Sequence, residues 1–281
     1  MVLRMIKALS RLFSYLLAIS NLYNTPQSFV SKSVLLIRIV RNRLRVNSAT
    51  GFVEQLAMIS ALLRLPASVE GSVVECGCYE GGSTTNLSLA AKLVGRKLYV
   101  FDSFRGLPEP KPKDVRHLAV NVGEFHRYTK GSWCGLLDSV KANVAKYGSL
   151  KVCTFIEGYF DSTLPNFSEA VAFAFCDVDL RDSLETCLRY LWPLMPSSGV
   201  LFTHEAHHLE IASLFYDQAL WPDSAPGLVG AGSGLGLSPM KDGSFGSCIG
   251  YVIKSPSVVM ESIELGTRER YRTHVQSAES C

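Results

Sequence analysis

Short runs of apolar residues alternate along the chain with longer stretches in which apolar side chains recur every three or four positions. Continuous runs of this length predict buried strands, and the helical spacing predicts amphipathic helices. The predicted strands cover residues 72–75, 97–101, 151–156, 171–176, 200–203 and 247–254. The predicted helices cover residues 48–65, 84–93, 139–147, 183–194 and 209–221. Strands that alternate with helices in this order predict an α/β fold with a doubly wound, mainly parallel sheet.

The N-terminal part of the chain has a different pattern, which predicts two basic amphipathic helices over residues 1–23 and 33–46. Three interpretations of residues 1–23 stay open. The segment is a helix that packs on the body or on a second subunit, a helix that lies on a membrane surface, or a secretory signal cleaved near Ala18. Its uncharged run is shorter than the roughly 20 residues that a membrane-spanning helix needs.

Two stretches lack a regular period and are rich in turn residues. Residues 109–133 and 227–236 are expected to be loops that close over a bound ligand, because long irregular segments in compact domains often have this function. We divide the chain into an N-terminal helical extension (1–47), one catalytic domain (48–260) and a peripheral tail (261–281).

The amino-acid composition indicates which kinds of binding partner and which cellular compartment to expect. Apolar residues make up 47% of the 281 positions, which is enough for a sizeable core, and 28 basic residues stand against 25 acidic ones. This near balance argues against a nucleic-acid surface. The eight cysteines contain no C-x-x-C pair, so we expect reduced thiols and a cytoplasmic protein, with membrane association through residues 1–45 as an alternative.

A glycine turn follows the first predicted strand. Gly77, Gly81 and Gly82 separate that strand from a helix whose first N–H groups are free to face a ligand. Asp102 ends the next strand, where an acidic side chain is well placed to bind two ribose hydroxyls. The turn therefore predicts a nucleotide-like cofactor. Its G-x-x-x-G-G spacing differs from the G-x-G-x-x-G of dinucleotide sites, which disfavours a nicotinamide oxidoreductase.

Ionisable side chains follow four of the predicted strands at their carboxyl ends, where ligands bind in sheets of this kind. They are Glu75, Asp102, Asp177, Asp179, His204 and Glu205. The last four could converge on one divalent cation or on one reacting hydroxyl, with His204 as a ligand or a general base. Alternatively, Asp177 or Asp179 caps the following helix. We expect His207 and His208 to face solvent and to have no function.

Three strings occur in an order that resembles the macrocin O-methyltransferase family, from about Ser48 to Lys254. They are ECGCYEGGS (75–83), DSFRGLP (102–108) and DVDL (177–180). The resemblance implies the Rossmann-like, seven-stranded sheet of class I methyltransferases, with S-adenosylmethionine as the cofactor. It also implies transfer of the methyl group to a hydroxyl of a small molecule, a sugar or a glycosylated natural product, usually with Mg²⁺.

The resemblance also implies roles for individual residues. Those expected around the cofactor are Glu75, Gly77, Gly81, Ser83, Asp102, Ser103, Phe104, Gly158, Tyr159 and Asp177. Asp177, His204 and Glu205 are expected to hold the metal, and Asp179 and His204 are candidate proton acceptors.

One departure from the family pattern affects the metal. The later strand normally ends in two aspartates and an aromatic residue, whereas this chain has His204, Glu205 and Ala206. Imidazole nitrogen suits Mg²⁺ poorly, so a different metal, or none with His204 as the base, is an open alternative. A second hypothesis follows: a protein that binds the cofactor or assembles with other subunits, with the methyltransferase fold but altered catalysis.

Overall fold

The computed structural model describes residues 2–119, 123–221, 226–227, 229–230 and 248–254. Its strands are β1 (Ser72–Cys76), β2 (Leu98–Asp102), β3 (Arg116–Ala119), β4 (Glu124–Arg127), β5 (Cys153–Glu157), β6 (Val171–Cys176), β7 (Val200–Thr203), β8 (Val229–Gly230) and β9 (Gly250–Ile253). Its α-helices are α1 (Val2–Tyr23), α2 (Phe29–Arg43), α3 (Phe52–Arg64), α4 (Gly82–Leu93), α5 (Leu137–Tyr147), α6 (Phe160–Thr163), α7 (Arg181–Leu191) and α8 (Leu209–Ala212).

The central sheet confirms the predicted class I methyltransferase fold. Its strand order is β5-β2-β1-β6-β7-β9-β8, in which the first five strands are parallel and β9 pairs antiparallel with both β7 and β8. The seventh strand, β8, has only two residues. The order of the strands, but not their direction, reverses between β1 and β6. The carboxyl ends of β1, β2, β6 and β7 therefore lie at one edge, where ligands bind in such sheets.

The most apolar runs became the strands predicted for them. Val171–Cys176 and Val200–Thr203 form β6 and β7 with the predicted limits, and every residue of both strands is buried. One face of the sheet is covered by α3 and α4 and the other by α7 and α8. Burial on both faces explains why these strands read as continuous apolar runs.

Two predicted elements differ from the structure. Residues 109–133 contain a β-hairpin, formed by β3 and β4, instead of an irregular loop. All four residues of β4 are exposed, so the strand has no apolar alternation by which it could be recognised. The α-helix expected over 209–221 ends at Ala212 and is followed by a 3-10 turn over Ser213–Phe215, whose Leu214 carbonyl accepts from the Trp221 indole N–H.

The two N-terminal helices pack on the body through one face each. Leu22 of α1 and Leu35 and Ile39 of α2 are buried in the same core cluster as α3. None of the described helices is long and apolar enough to cross a membrane. The proposed domain limits remain predictions, and the tail 261–281 lies outside the described residues.

Candidate active site

An open cavity lies at the carboxyl edge of the sheet, with about 670 Å³ of empty space that is partly open to solvent. Asp102 after β2 and Asp177 after β6 both line it, together with Asp179 and Glu205. The remaining lining residues are Ala49, Gly77, Tyr79, Ser103, Gly106, Leu107, Pro108, Trp133, Tyr159, Phe160, Val178 and Ser183. The structure therefore brings most of the predicted site residues to one concave surface.

Gly77 is required by the packing of the chain on itself. Its φ is +83°, and a Cβ there would lie 1.8 Å from the carbonyl oxygen of Asp177. The Asp177 amide in turn donates to the carbonyl of Cys76, at 2.8 Å. The glycine thus lets the ends of β1 and β6 approach each other, which explains it without a ligand. Gly77 also lines the cavity, so its predicted place beside the cofactor stays a prediction.

Asp102 is held in position by the backbone on both sides of it. Its Oδ2 accepts from the amide of Cys78 and its Oδ1 from the amide of Phe104, both at 2.7 Å. Burial raises the pKa of Asp102, and these amide hydrogen bonds oppose the rise. Each carboxylate oxygen has a second lone pair, so this fixed group can still accept from hydroxyls in the cavity.

The structure places three of the predicted cofactor residues away from the cavity surface. Glu75 and Ser83 are buried and, like Gly81, are not among the lining residues. Neither carboxyl oxygen of Glu75 has a hydrogen-bond partner among the described residues. Burial raises the pKa of Glu75 to about 8, although the nearby hydroxyls of Ser83 and Thr84 lower it. Glu75 is therefore mostly neutral at pH 7 in the folded chain.

Of the residues expected beside the adenosine, some line the cavity and others do not. Ser103 and Tyr159 line the cavity, whereas Phe104 is buried in the core on the α4 side. The amide of Gly158 donates to the carbonyl of Asp102 at 2.9 Å, which positions the Gly158–Tyr159 turn beside the end of β2.

Asp177, His204 and Glu205 form a compact cluster. One ligand atom from each lies within 4.8 Å of the other two. His204 Nδ1 is 3.4 Å from Asp177 Oδ1 and also contacts Glu205 Oε1, and Thr50 Oγ1 donates to Asp177 Oδ2 at 3.3 Å. Two carboxylates and an imidazole in this arrangement fit a divalent cation, with nitrogen favouring Mn²⁺, Fe²⁺ or Zn²⁺ over Mg²⁺.

The protonation states in this cluster are set by burial and by mutual charge. Burial lowers the pKa of His204, but the carboxylates of Asp177 and Glu205 outweigh it and hold that pKa well above its usual value. Burial raises the pKa of Asp177 to about 7, although His204 lowers it. Burial and the Glu205 carboxylate also raise the pKa of Asp179. Without a cation, therefore, the two carboxylates favour the protonated form of the His204 ring.

Asp177 and Asp179 are not the caps of the following helix. Asp114 has that role, because its carboxylate accepts from the amides of Arg181 and Asp182 at 2.8 and 3.2 Å. The alternative interpretation of the two aspartates as caps is therefore wrong. Their side chains remain available to the cavity.

Backbone strain is concentrated at the cavity. Six non-glycine residues of the described chain have positive φ, and four of them, Tyr79, Trp133, Asp179 and Glu205, line it. Such conformations cost about 1–3 kcal/mol each and are common at functional sites. Sequence reasoning missed Tyr79 and Trp133, whose rings pack edge to face at 5.5 Å, because isolated aromatic residues in loops have no distinctive pattern.

The expectation that His207 and His208 face solvent is wrong. They are 5% and 1% exposed, because the hairpin β3–β4 packs over the segment after β7. Burial and neighbouring imidazoles lower the pKa of His207 to about 4 and that of His208 to about 2, so both rings are neutral at neutral pH.

Comparison with known proteins gives one family. The model of the macrocin O-methyltransferase (TylF) family matches residues 56–213, which is more than half of the chain and includes most of the cavity. No curated protein sequence matches the chain.

Among solved structures, the O-methyltransferase NovP is similar in fold. It is 17% identical with a TM-score of 0.53, and the match covers 88% of this chain and 100% of NovP. The calicheamicin methyltransferase CalS11 is 15% identical with a TM-score of 0.49, over 83% of this chain and 96% of CalS11. An O-methyltransferase from Bacillus cereus in complex with SAH is 13% identical with a TM-score of 0.44, over 82% and 92% of the two chains.

Proposed function

The chain belongs to the macrocin O-methyltransferase family, and from that premise we propose that it methylates a hydroxyl of a sugar or of a glycosylated natural product. It is an S-adenosylmethionine-dependent O-methyltransferase, so the proposal concerns the acceptor, the residues and the cation. The observation that carries it is the common cavity of Asp102, Asp177 and Asp179. One carboxylate there binds the cofactor, and the others serve the acceptor beside it.

Cofactor binding is assigned to the turn after β1 and the end of β2. When bound, S-adenosylmethionine supplies a methyl group already activated by its sulfonium. Asp102 accepts from the two ribose hydroxyls, while Gly77, Ser103 and Tyr159 shape the wall beside it. The chain then contributes mainly alignment, which lowers a barrier by about 7–11 kcal/mol in favourable cases.

Proton removal from the acceptor is assigned to Asp179. This carboxylate lines the cavity two residues after Asp177, and the left-handed backbone at φ +59° fixes the direction of its side chain. The proton leaves the acceptor oxygen for Asp179 as that oxygen forms its bond to the methyl carbon, and the sulfur keeps the electron pair of the broken bond. His204 is the second candidate, but only where its own proton has been lost.

A divalent cation belongs at Asp177, His204 and Glu205. His204 Nδ1 faces both carboxylates, 3.4 Å from Asp177 Oδ1 and in contact with Glu205 Oε1, so three ligand atoms converge there. A cation there would supply Lewis acidity toward a hydroxyl, which in water is too weakly acidic to lose its proton. The imidazole makes Mn²⁺, Fe²⁺ or Zn²⁺ a better match than Mg²⁺.

The aromatic lining supports a sugar acceptor. Tyr79 and Trp133 line the cavity, and the C–H face of a sugar ring can pack on aromatic rings while the carboxylates bind its hydroxyls. The competing hypothesis is a protein that binds the cofactor but transfers no methyl group, which the altered His204–Glu205 pair still motivates.

Transfer of labelled methyl to a panel of nucleotide-linked sugars, glycosylated natural products and simple phenols tests the acceptor class. We expect labelled sugar, loss of labelling after treatment with a chelator, and recovery when Mn²⁺ or Mg²⁺ is returned. Labelling of phenols alone would contradict the sugar assignment. Undiminished labelling in the presence of chelator would show that methyl transfer does not need a cation. Cofactor binding without any labelled product would favour the non-catalytic hypothesis.

For the N-terminal helices we propose contact with an anionic lipid surface. Residues 1–53 contain eight Lys and Arg and no Asp or Glu. The described part of α1 and α2 exposes large apolar side chains: Leu9, Leu12, Phe13, Leu16, Leu17, Phe29, Val30, Val34, Ile37 and Val40. Apolar residues beside basic ones are typical of helices that lie on anionic membranes. A second copy of the chain would bring like charges together.

Charged substitutions on α1 test this contact without removing Leu22 from the core. We expect Phe13→Glu with Leu16→Glu to reduce binding to phosphatidylserine vesicles at least about tenfold, because both apolar anchors are lost and negative charge is added. Leu150→Glu, at an exposed position outside these helices, is the matched control. A wild-type dimer that the double variant dissociates, with no vesicle binding by either protein, would show that the face joins subunits instead.

A further inference from the structure

Three histidines meet where the hairpin packs on the chain after β7. His126 lies on β4, and His207 and His208 follow β7 directly. One ring nitrogen from each lies within 4.8 Å of the other two, and His208 Nε2 is 3.1 Å from His126 Nδ1. No residue of this group belongs to the Asp177–His204–Glu205 cluster.

One buried member of this group lacks a hydrogen-bond partner at a ring nitrogen. The His207 ring is only 5% exposed, and its Nδ1 has no hydrogen-bond partner among the described residues. A buried polar atom without a partner costs about 1–3 kcal/mol, so an unexplained one in a native fold points to a missing ligand.

A sulfur atom lies beside one of the three rings. Cys248 Sγ is 4.0 Å from His207 Nε2. In a tetrahedral zinc site, bond lengths of about 2.0 Å to nitrogen and 2.3 Å to sulfur place neighbouring ligand atoms roughly 3.3–3.6 Å apart. The observed separations of 3.1 and 4.0 Å lie on either side of this range. The three ring nitrogens converge without Cys248, so the His207 ring and the Cys248 side chain must turn for the sulfur to become the fourth ligand.

The outer contacts of the group resemble those that orient metal ligands. His208 Nδ1 is 3.2 Å from the Tyr128 hydroxyl, and the Tyr128 ring packs edge-on against His117 at 5.0 Å. His117 in turn pairs with the buried carboxylate of Asp114 at 2.9 Å. A histidine that binds a metal usually uses its second nitrogen in a hydrogen bond of this kind.

We propose that His126, His207, His208 and Cys248 bind a transition-metal ion, with Zn²⁺ as the best match to three imidazoles and a thiolate. Binding releases the thiol proton of Cys248 to solvent. The ion joins β4 to the end of β7, where the Leu118 amide already donates to Glu210 Oε2 at 2.8 Å. It thereby fixes the hairpin beside the candidate active site and is separate from the cation at Asp177.

Titration of the full-length protein with Zn²⁺ tests this site. The protein is first stripped with a chelator and then titrated against a chromophoric zinc indicator, in an Asp177→Asn, Glu205→Gln background that removes the other cluster. We expect one equivalent to bind, and His126→Ala to weaken its binding at least about 100-fold, since even outer-shell changes cost 10–100-fold. His126 is exposed, so its loss should leave the fold intact by circular dichroism.

Glu124→Ala, on the same exposed strand, is the matched control and should bind Zn²⁺ as the background protein does. Co²⁺ provides a second measurement, because a sulfur-to-metal charge-transfer band that disappears in Cys248→Ser identifies the fourth ligand. Equal binding by the His126→Ala variant, or no equivalent tighter than micromolar in the background protein, would overturn the proposal. The His126–His208 contact would then be a hydrogen bond between the two rings.

Discussion

Replacing Asp102 by alanine should weaken the binding of S-adenosylmethionine at least about 100-fold. Two hydrogen bonds from ribose hydroxyls to a carboxylate contribute roughly 1.5–3 kcal/mol each, and the variant loses both. The loss also removes the acceptor for the amides of Cys78 and Phe104, which shape the wall of the cavity. Isothermal titration calorimetry with the cofactor measures the effect.

Glu157→Gln is the control for this experiment. Glu157 ends β5 and lies opposite Asp102 in the register of the sheet, but its side chain is exposed and pairs with Arg105. It should bind the cofactor as the wild type does. Full-strength binding by a folded Asp102→Ala variant would show that the cofactor site lies elsewhere.

Replacing Asp179 by asparagine should reduce the rate of methyl transfer by about 10²–10⁴, the range that general-base catalysis typically contributes. Asparagine keeps the size of the side chain but does not accept the proton from the acceptor hydroxyl. Because Asp179 is assigned to the acceptor, the dissociation constant of S-adenosylmethionine should change little. Single-turnover transfer of labelled methyl, with calorimetry on the same preparation, separates the two effects.

Asp182→Asn is the matched control three residues further along. Asp182 lies on the first turn of α7 and pairs with Lys111 and Lys113, outside the lining of the cavity. We expect its rate to stay within a few-fold of the wild type. If Asp179→Asn transfers methyl as fast as this control, the proton acceptor is a different group, and His204 becomes the candidate to test.

The different surroundings of Asp102 and Asp179 explain why we expect Asp102→Ala to affect cofactor binding and Asp179→Asn to affect methyl transfer. Asp102 is held by the amides of Cys78, after β1, and Phe104, after β2. Asp179 instead lies near the charged groups of Asp177, His204 and Glu205. A change at Asp179 therefore alters the charge near the acceptor while the hydrogen bonds of Asp102 remain.

The sequence by itself determined the sheet and the edge at which the site lies. Val171–Cys176 and Val200–Thr203 are continuous apolar runs, which predict strands buried on both faces, and the structure has buried strands there. Parallel strands end at the same edge, and for that reason the acids after three of them, at Asp102, Asp177 and Glu205, could be placed together before any coordinates were known.

Only the tertiary structure decided which polar groups are partners across long separations. Asp114 caps the helix at Arg181, 67 residues away, and so leaves Asp179 to the cavity. His126 meets His208 across 82 residues, because a hairpin without apolar alternation folds over the end of β7. Contacts of this kind depend on how separate elements pack, and local spacing along the chain contains no information about them.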